Sequence, residues 1–183
     1  MKYLKSLVAV VAVLCGLSAS AQWTGNVGYR SMYELGCNIG TGAPSKTSFE
    51  IGTIQGYQVV PVYLFLGTGA SFQALFNSDG AYCFPVFVDF RSNFSAGNCS
   101  PYLDCRVGYA SVTGNSNRYS DGGFYLSPSF GIRFGVTNNV GISLAVGYTL
   151  QYAKIADYIY TENDVYRNRN NKNIGGISIK AGV

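Results

Sequence analysis

The stretch PVFVDFRSNF, residues 85–94, sets Val86, Val88, Phe90 and Phe94 on one side of an extended chain and Phe87, Asp89, Arg91 and Asn93 on the other. Successive side chains of a strand point to opposite faces, so one segment presents a greasy side and an ionic side. YLDCRVGY, residues 102–109, repeats the division: Leu103, Cys105, Val107 and Tyr109 stand opposite Asp104, Arg106 and Gly108. A strand that crosses a membrane as part of a barrel reads this way. Its apolar face meets lipid, and its polar, charged or small face meets the lumen.

Working outward, six more segments follow. Asn26 to Cys37 places Val27, Tyr29, Tyr33 and Leu35 opposite Gly28, Arg30, Glu34 and Gly36. Ser48 to Val59 places Phe49, Ile51, Tyr57 and Val59 opposite Glu50, Gly52, Gly56 and Gln58. Val62 to Phe72 is apolar on both faces, with Gly67 and Gly69 alternating on one, and its facing stays open. Gly123 to Phe134 sets Phe124, Leu126, Phe130, Ile132 and Phe134 against Ser127, Ser129, Gly131 and Arg133; Pro128 inside it predicts a bulge or a missing ladder bond. Val140 to Tyr152 sets Ile142, Leu144, Val146, Tyr148, Leu150 and Tyr152 against Ser143, Ala145, Gly147, Thr149 and Gln151. Gly175 to Val183 sets Ile177, Ile179, Ala181 and Val183 against Ser178, Lys180 and Gly182.

The connections sort into two kinds. Those at Val60-Pro61, Ser95 to Ser100 and Thr137 to Asn139 are short, and the alternate ones are longer and more polar. Lys154 to Asn173 is the longest loop by this reading. Short turns at one end and long loops at the other fit an outer-membrane barrel with both termini in the periplasm. In lipid an unpaired strand edge has no water to bond, so the sheet must close. The expected fold is all-β: a closed, eight-stranded, antiparallel, up-and-down transmembrane barrel whose interior is just wide enough for side chains.

The first 21 residues read as a cleaved signal peptide: Lys2 and Lys5, an apolar run from Leu7 to Leu17, then Ala19-Ser20-Ala21. That run is too short to span a bilayer as a helix. Leu14 is not the small residue that lipidation of Cys15 requires. The expected mature barrel domain is 22–183, exported to the cell outer membrane. Charged residues are 12% of the chain, half the usual share of a soluble domain. No basic stripe suggests nucleic acid.

GYQVVPVYLFLGTGASF (56–72), FPVFVDFRSNF (84–94), YLDCRVGY (102–109), GGFYLSPSFGIRFG (122–135) and VGYTLQ (146–151) resemble, in this order, small outer-membrane β-barrel domain proteins of the Bacteroides group. The resemblance implies an outer-membrane barrel and no activity. Such barrels usually end in an aromatic residue read by the insertion machinery; Ala181-Gly182-Val183 ends two residues short of that pattern.

Nine ionic residues fall on the lumen face: Arg30, Glu34, Glu50, Asp89, Arg91, Asp104, Arg106, Arg133 and Lys180. Buried charge needs partners, and the Asp89/Arg91 and Asp104/Arg106 pairs on neighbouring strands are placed to cross-pair. A structural salt-bridge plug is the leading reading, and an ion path or gate is the alternative. The chain has no His, which excludes Ser-His and Cys-His nucleophiles. The neighbouring arginines disfavour acid–base work by Asp89 with Asp104, so no enzyme activity is expected. The outward tyrosines suit a membrane interface. Tyr158, Tyr160 and Tyr166 among Asn and charged residues suit surface recognition. Cys37 and Cys83 lie near outer strand ends and could meet across the mouth, although free thiols are the default; Cys99 falls in a short turn and Cys105 on the lipid face.

The function this supports is a non-enzymatic barrel with a structural or surface-recognition role. Alternatives are a narrow ion or small-solute channel and a soluble lipocalin-like carrier, whose face polarity would be reversed. Implied partners are outer-membrane lipid and the insertion machinery. No cofactor and no metal are expected, an extracellular ligand is unspecified, and a monomer is expected.

Overall fold

The structure, a computed structural model, describes residues 27–41, 47–76, 81–113, 119–136, 140–161 and 164–183, with backbone only for 119–121, 153–161 and 164–172. The leader lies outside the described residues. Ten strands are present: β1 (Gly28–Gly40), β2 (Ser48–Val60), β3 (Leu64–Leu75), β4 (Tyr82–Asn93), β5 (Cys99–Thr113), β6 (Tyr119–Asp121), β7 (Gly123–Gly135), β8 (Gly141–Thr161), β9 (Asp164–Asn173) and β10 (Gly176–Gly182). Eight of them, β1 to β5 with β7, β8 and β10, make one antiparallel wall in which each pairs with its neighbours. β10 pairs with β8 on one side and with β1 on the other, from Glu34↔Gly182 to Gly40↔Gly176. The wall therefore closes, and no barrel strand is left with a free edge.

The alternation that predicts the strands also sets what faces in. Arg91 and Arg106 are 4% and 2% exposed, whereas Val88 and Val107 are 42% and 36% exposed. The wall is apolar outside and ionic within. Exposed aromatics gather at its two rims. Tyr29, Tyr57, Tyr63, Phe94 and Phe134 ring the end that holds both termini; Tyr82, Phe84, Tyr109, Phe124, Tyr148 and Tyr152 ring the other.

β3, whose facing the pattern leaves open, turns its glycines inward together with Phe65, Ser71 and Gln73. The reason is space. A Cβ at Gly67 would lie 2.8 Å from the Phe65 ring, and one at Gly69 would lie 2.7 Å from the Phe87 ring. The strand begins at Leu64 rather than Val62, because Val62 sits in the turn with φ at 67°. Tyr63 N–H donates to Pro61 O at 2.8 Å and Asn93 Nδ2 to Val62 O at 2.9 Å, which hold that turn.

Other details also differ from the sequence reading. β4 begins at Tyr82, three residues before Pro85, and β5 runs from Cys99 to Thr113, so Cys99 opens a strand instead of lying in a turn. β7 is continuous through Pro128. Its pairing with β8 passes from Leu126↔Leu150 to Ser129↔Gly147 with no change of register, so Pro128 marks missing rungs and not a bulge. The largest correction is Lys154 to Asn173. It is not an irregular loop: β8 continues past the barrel to Thr161 and pairs with β9 from Tyr152↔Asn173 to Thr161↔Asp164, while β6 pairs with β8 on its other side. Polar residues on both faces of that hairpin erase the hydrophobic alternation by which the other strands are recognised.

Candidate functional site

The site is the lumen, where the wall directs its ionic side chains. Antiparallel register sets Asp89 opposite Arg106 and Arg91 opposite Asp104 on β4 and β5. Glu34 comes from β1, across the lumen. Arg91 donates through Nη2 to Glu34 Oε1 at 2.9 Å and to Asp104 Oδ2 at 3.2 Å. Arg106 donates through Nη2 to Glu34 Oε2 at 2.6 Å and to Asp104 Oδ2 at 2.8 Å. Asp89 lies 3.8 Å from each guanidinium, an ion-pair distance without a hydrogen bond. Each arginine thus faces the same three carboxylates. Tyr102 and Phe87 stack against them, with Arg91 4.6 Å from the Tyr102 ring centre and Arg106 5.2 Å from that of Phe87.

The structure brings five of the nine ionic residues into this cluster. Glu50 accepts from Asn38 Nδ2 at 3.0 Å, Lys180 donates to Ser127 Oγ at 2.9 Å, and Arg133 reaches Asn93 Oδ1 at 3.5 Å. Arg30 is buried in the lumen toward the end that holds the termini.

Around the ions the lumen is packed. Ile54, Phe65, Phe87, Ala110 and Tyr125 form a buried apolar layer, with Met32 against it. Among the described residues, two cavities in the lumen measure about 10 Å³ each. One lies beside Glu34, Glu50, Ser71, Arg106 and Lys180; the other lies beside Asn38, Gln73, Cys83, Thr149 and Gln151. Each is room for about one water. The aromatic plugs Tyr102 and Tyr125 were not singled out from the sequence, although strand parity places them with Asp104 and Ser127 and is the signal that finds them.

The chemistry of the cluster is cohesion. Planar guanidiniums match carboxylates in fixed geometry and hold charge under burial. Every carboxylate in the cluster lies within ion-pair reach of both arginines. Among the described residues no group of three or more potential metal ligands gathers.

The four described cysteines are free. Cys83 is buried in the lumen, whereas Cys37 alternates with inward Asn38 and lies on the outer face, so the two stand on opposite sides of the wall. Of the surface tyrosines, register pairs Tyr158 with Arg167 and Tyr160 with Val165, but Tyr166 with Ile159.

No family model matches the chain, and no curated protein matches it. Among solved structures it is similar to Neisserial surface protein A, with 15% sequence identity, a TM-score of 0.57, and coverage of 86% of this chain and 98% of that one. At that identity the likeness speaks for architecture, and it agrees with the register: the chain is an all-β protein, a closed eight-stranded antiparallel barrel of the kind seen in Neisserial surface protein A.

Proposed function

We propose that this is an outer-membrane barrel that crosses the lipid as a filled cylinder and acts at the cell surface through the strands that extend beyond its rim. The observation that carries the reading is inverted polarity. Val86, Phe90, Leu103, Phe130, Leu144 and Val146 are exposed on the outer wall, while the ionic cluster is buried inside. A water-soluble carrier gains nothing from that arrangement; a wall against acyl chains requires it. The two aromatic rims fit the two membrane interfaces. The signal-like leader supports export, and the similarity to a surface protein supports the location.

The packed lumen favours a structural or surface-recognition role over conduction. The ion cluster ties β1 to β4 and β5 through the centre, and the neighbouring cavities have room for about one water each.

Membrane fractionation and gel electrophoresis with and without heating test the location. The protein is expected in the outer-membrane fraction, with a compact band that shifts on boiling; recovery in the soluble fraction with no shift defeats the reading. Planar-bilayer recording tests the role. A silent bilayer is expected, and steady openings that scale with salt would assign a channel instead.

A further inference from the structure

One part of the outer wall breaks the wall's own rule. The outward positions Ser31 on β1, Thr53 and Gln55 on β2 and Thr68 on β3 carry polar side chains. Register makes them neighbours: Ser31 pairs with Gln55, Gln55 with Thr68, and Thr53 with Ala70. Gln55 is the hub. Its Nε2 donates to Ser31 Oγ at 2.8 Å and to Thr53 Oγ1 at 2.9 Å, and its Oε1 accepts from the Tyr29 hydroxyl. Elsewhere between the two rims the described outward side chains are hydrocarbon, aromatic or cysteine, apart from Ser92, whose strand partners are Leu64 and Leu103.

The patch stands inside the acyl layer. Each of its residues lies two to five positions inward of the rim tyrosine on its own strand, Tyr29, Tyr57 or Tyr63. At about 3.3 Å per residue and a tilt of about 40°, that is roughly 5–13 Å within an apolar band about 25 Å tall. Among the described residues, the Ser31 and Thr53 hydroxyls accept from Gln55 and donate to nothing, and the exposed Thr68 Oγ1 has no hydrogen-bond partner. Acyl chains offer these groups nothing, and a polar group left bare in hydrocarbon costs free energy.

Resting on the membrane reading above, we infer that this patch is where two copies of the barrel meet side by side in the bilayer, in place of the monomer expected from the sequence. A second copy in the same membrane carries its own patch at the same depth. Hydroxyls and a carboxamide each donate and accept, so the patch is complementary to itself about a two-fold axis along the membrane normal. It bears no charge, so like copies do not repel. Ser31, Thr53, Thr68 and Ala70 are small, which lets two walls approach closely enough for hydrogen bonds between them.

The test is sedimentation equilibrium of the full barrel in density-matched detergent micelles, read as the monomer–dimer constant over a range of protein-to-detergent ratios. The parent is expected to form a reversible dimer. Gln55→Leu/Thr68→Val, which replaces polar groups with hydrocarbon of similar size, is expected to weaken association about 30-fold. Phe130→Leu, on β7 across the barrel from β2, is expected to leave it unchanged. Should the double variant lose its compact, heat-sensitive gel band, Thr68→Val alone is read, with an expected loss of about 5-fold because the group counts twice across the two-fold. A parent that stays monomeric at the highest ratio overturns the inference and leaves the patch to a different membrane protein. A polar-to-hydrocarbon variant that dimerises as tightly as the parent, or an equal loss in Phe130→Leu, overturns it too. A monomeric barrel that still fractionates with membranes and shifts on boiling keeps the membrane reading intact; a barrel absent from membranes removes both.

Discussion

Arg106 is the side chain whose loss the lumen should tolerate least. It reaches Glu34 at 2.6 Å, Asp104 at 2.8 Å and Asp89 at 3.8 Å, and it is 2% exposed. With both arginines the cluster holds three carboxylates and two guanidiniums. Arg106→Met keeps most of the side-chain volume but leaves three buried carboxylates sharing Arg91. Removing one partner of a buried ion pair costs about 3–5 kcal/mol, because the remaining charge stays desolvated and uncompensated. For a barrel of this size that corresponds to a fall of about 6–20 °C in midpoint. The assay is the fraction of compact gel band against temperature for protein refolded in lipid vesicles. Adding Glu34→Gln to the variant restores the net charge of the cluster. The double variant should therefore recover about 0.5–3 kcal/mol relative to the sum of the single effects. An Arg106→Met midpoint within about 2 °C of the parent, or a Glu34→Gln effect that simply adds, refutes the claim that these groups form one cohesive unit.

Two further outcomes follow from the wall and its filling. Gly67→Ala puts a methyl group 2.8 Å from the Phe65 ring; it should cost about 1–3 kcal/mol by overpacking, read as a lower unfolding midpoint, and Phe65→Ala in the same chain should reduce that penalty. Val107→Arg, on the outward face of β5 between the wall's middle and the Tyr109 rim, should cost about 1–3 kcal/mol for a barrel in a bilayer, read by urea titration in vesicles. A Val107→Arg barrel as stable as the parent would mean that no lipid touches that face.

Most of the wall was readable from the chain because two solvents act on it. Lipid outside and ions inside leave opposite marks on neighbouring residues, and Val86 to Asn93 carries both in one stretch. Where one of those marks is missing, the reading stopped. β3 shows apolar residues on both sides because its lumen face serves ring packing, and only the Phe65 and Phe87 rings explain the glycines. The β8–β9 hairpin carries polar residues at both parities, so nothing in its hydropathy announces a strand. The same limit applies to the cluster. Alternation nominates nine inward charges, but it cannot say that Glu34 on β1 meets Arg91 and Arg106 on β4 and β5. That meeting depends on strand stagger and tilt around a closed wall, which are properties of the whole circle and not of any one strand.

The seam between β1 and β10 has a bearing on how the molecule comes into being. Tyr33 and Val183 exchange backbone hydrogen bonds of 2.9 Å in each direction, joining residues from opposite ends of the chain. No nearer pairing can substitute for that join, so the entropic cost of a very long loop falls due at the last step. Until then two raw strand edges face outward at once, each a template for stray pairing. Assembly on this plan has no useful halfway point, since a cylinder lacking one stave is an open sheet with nowhere stable to stand.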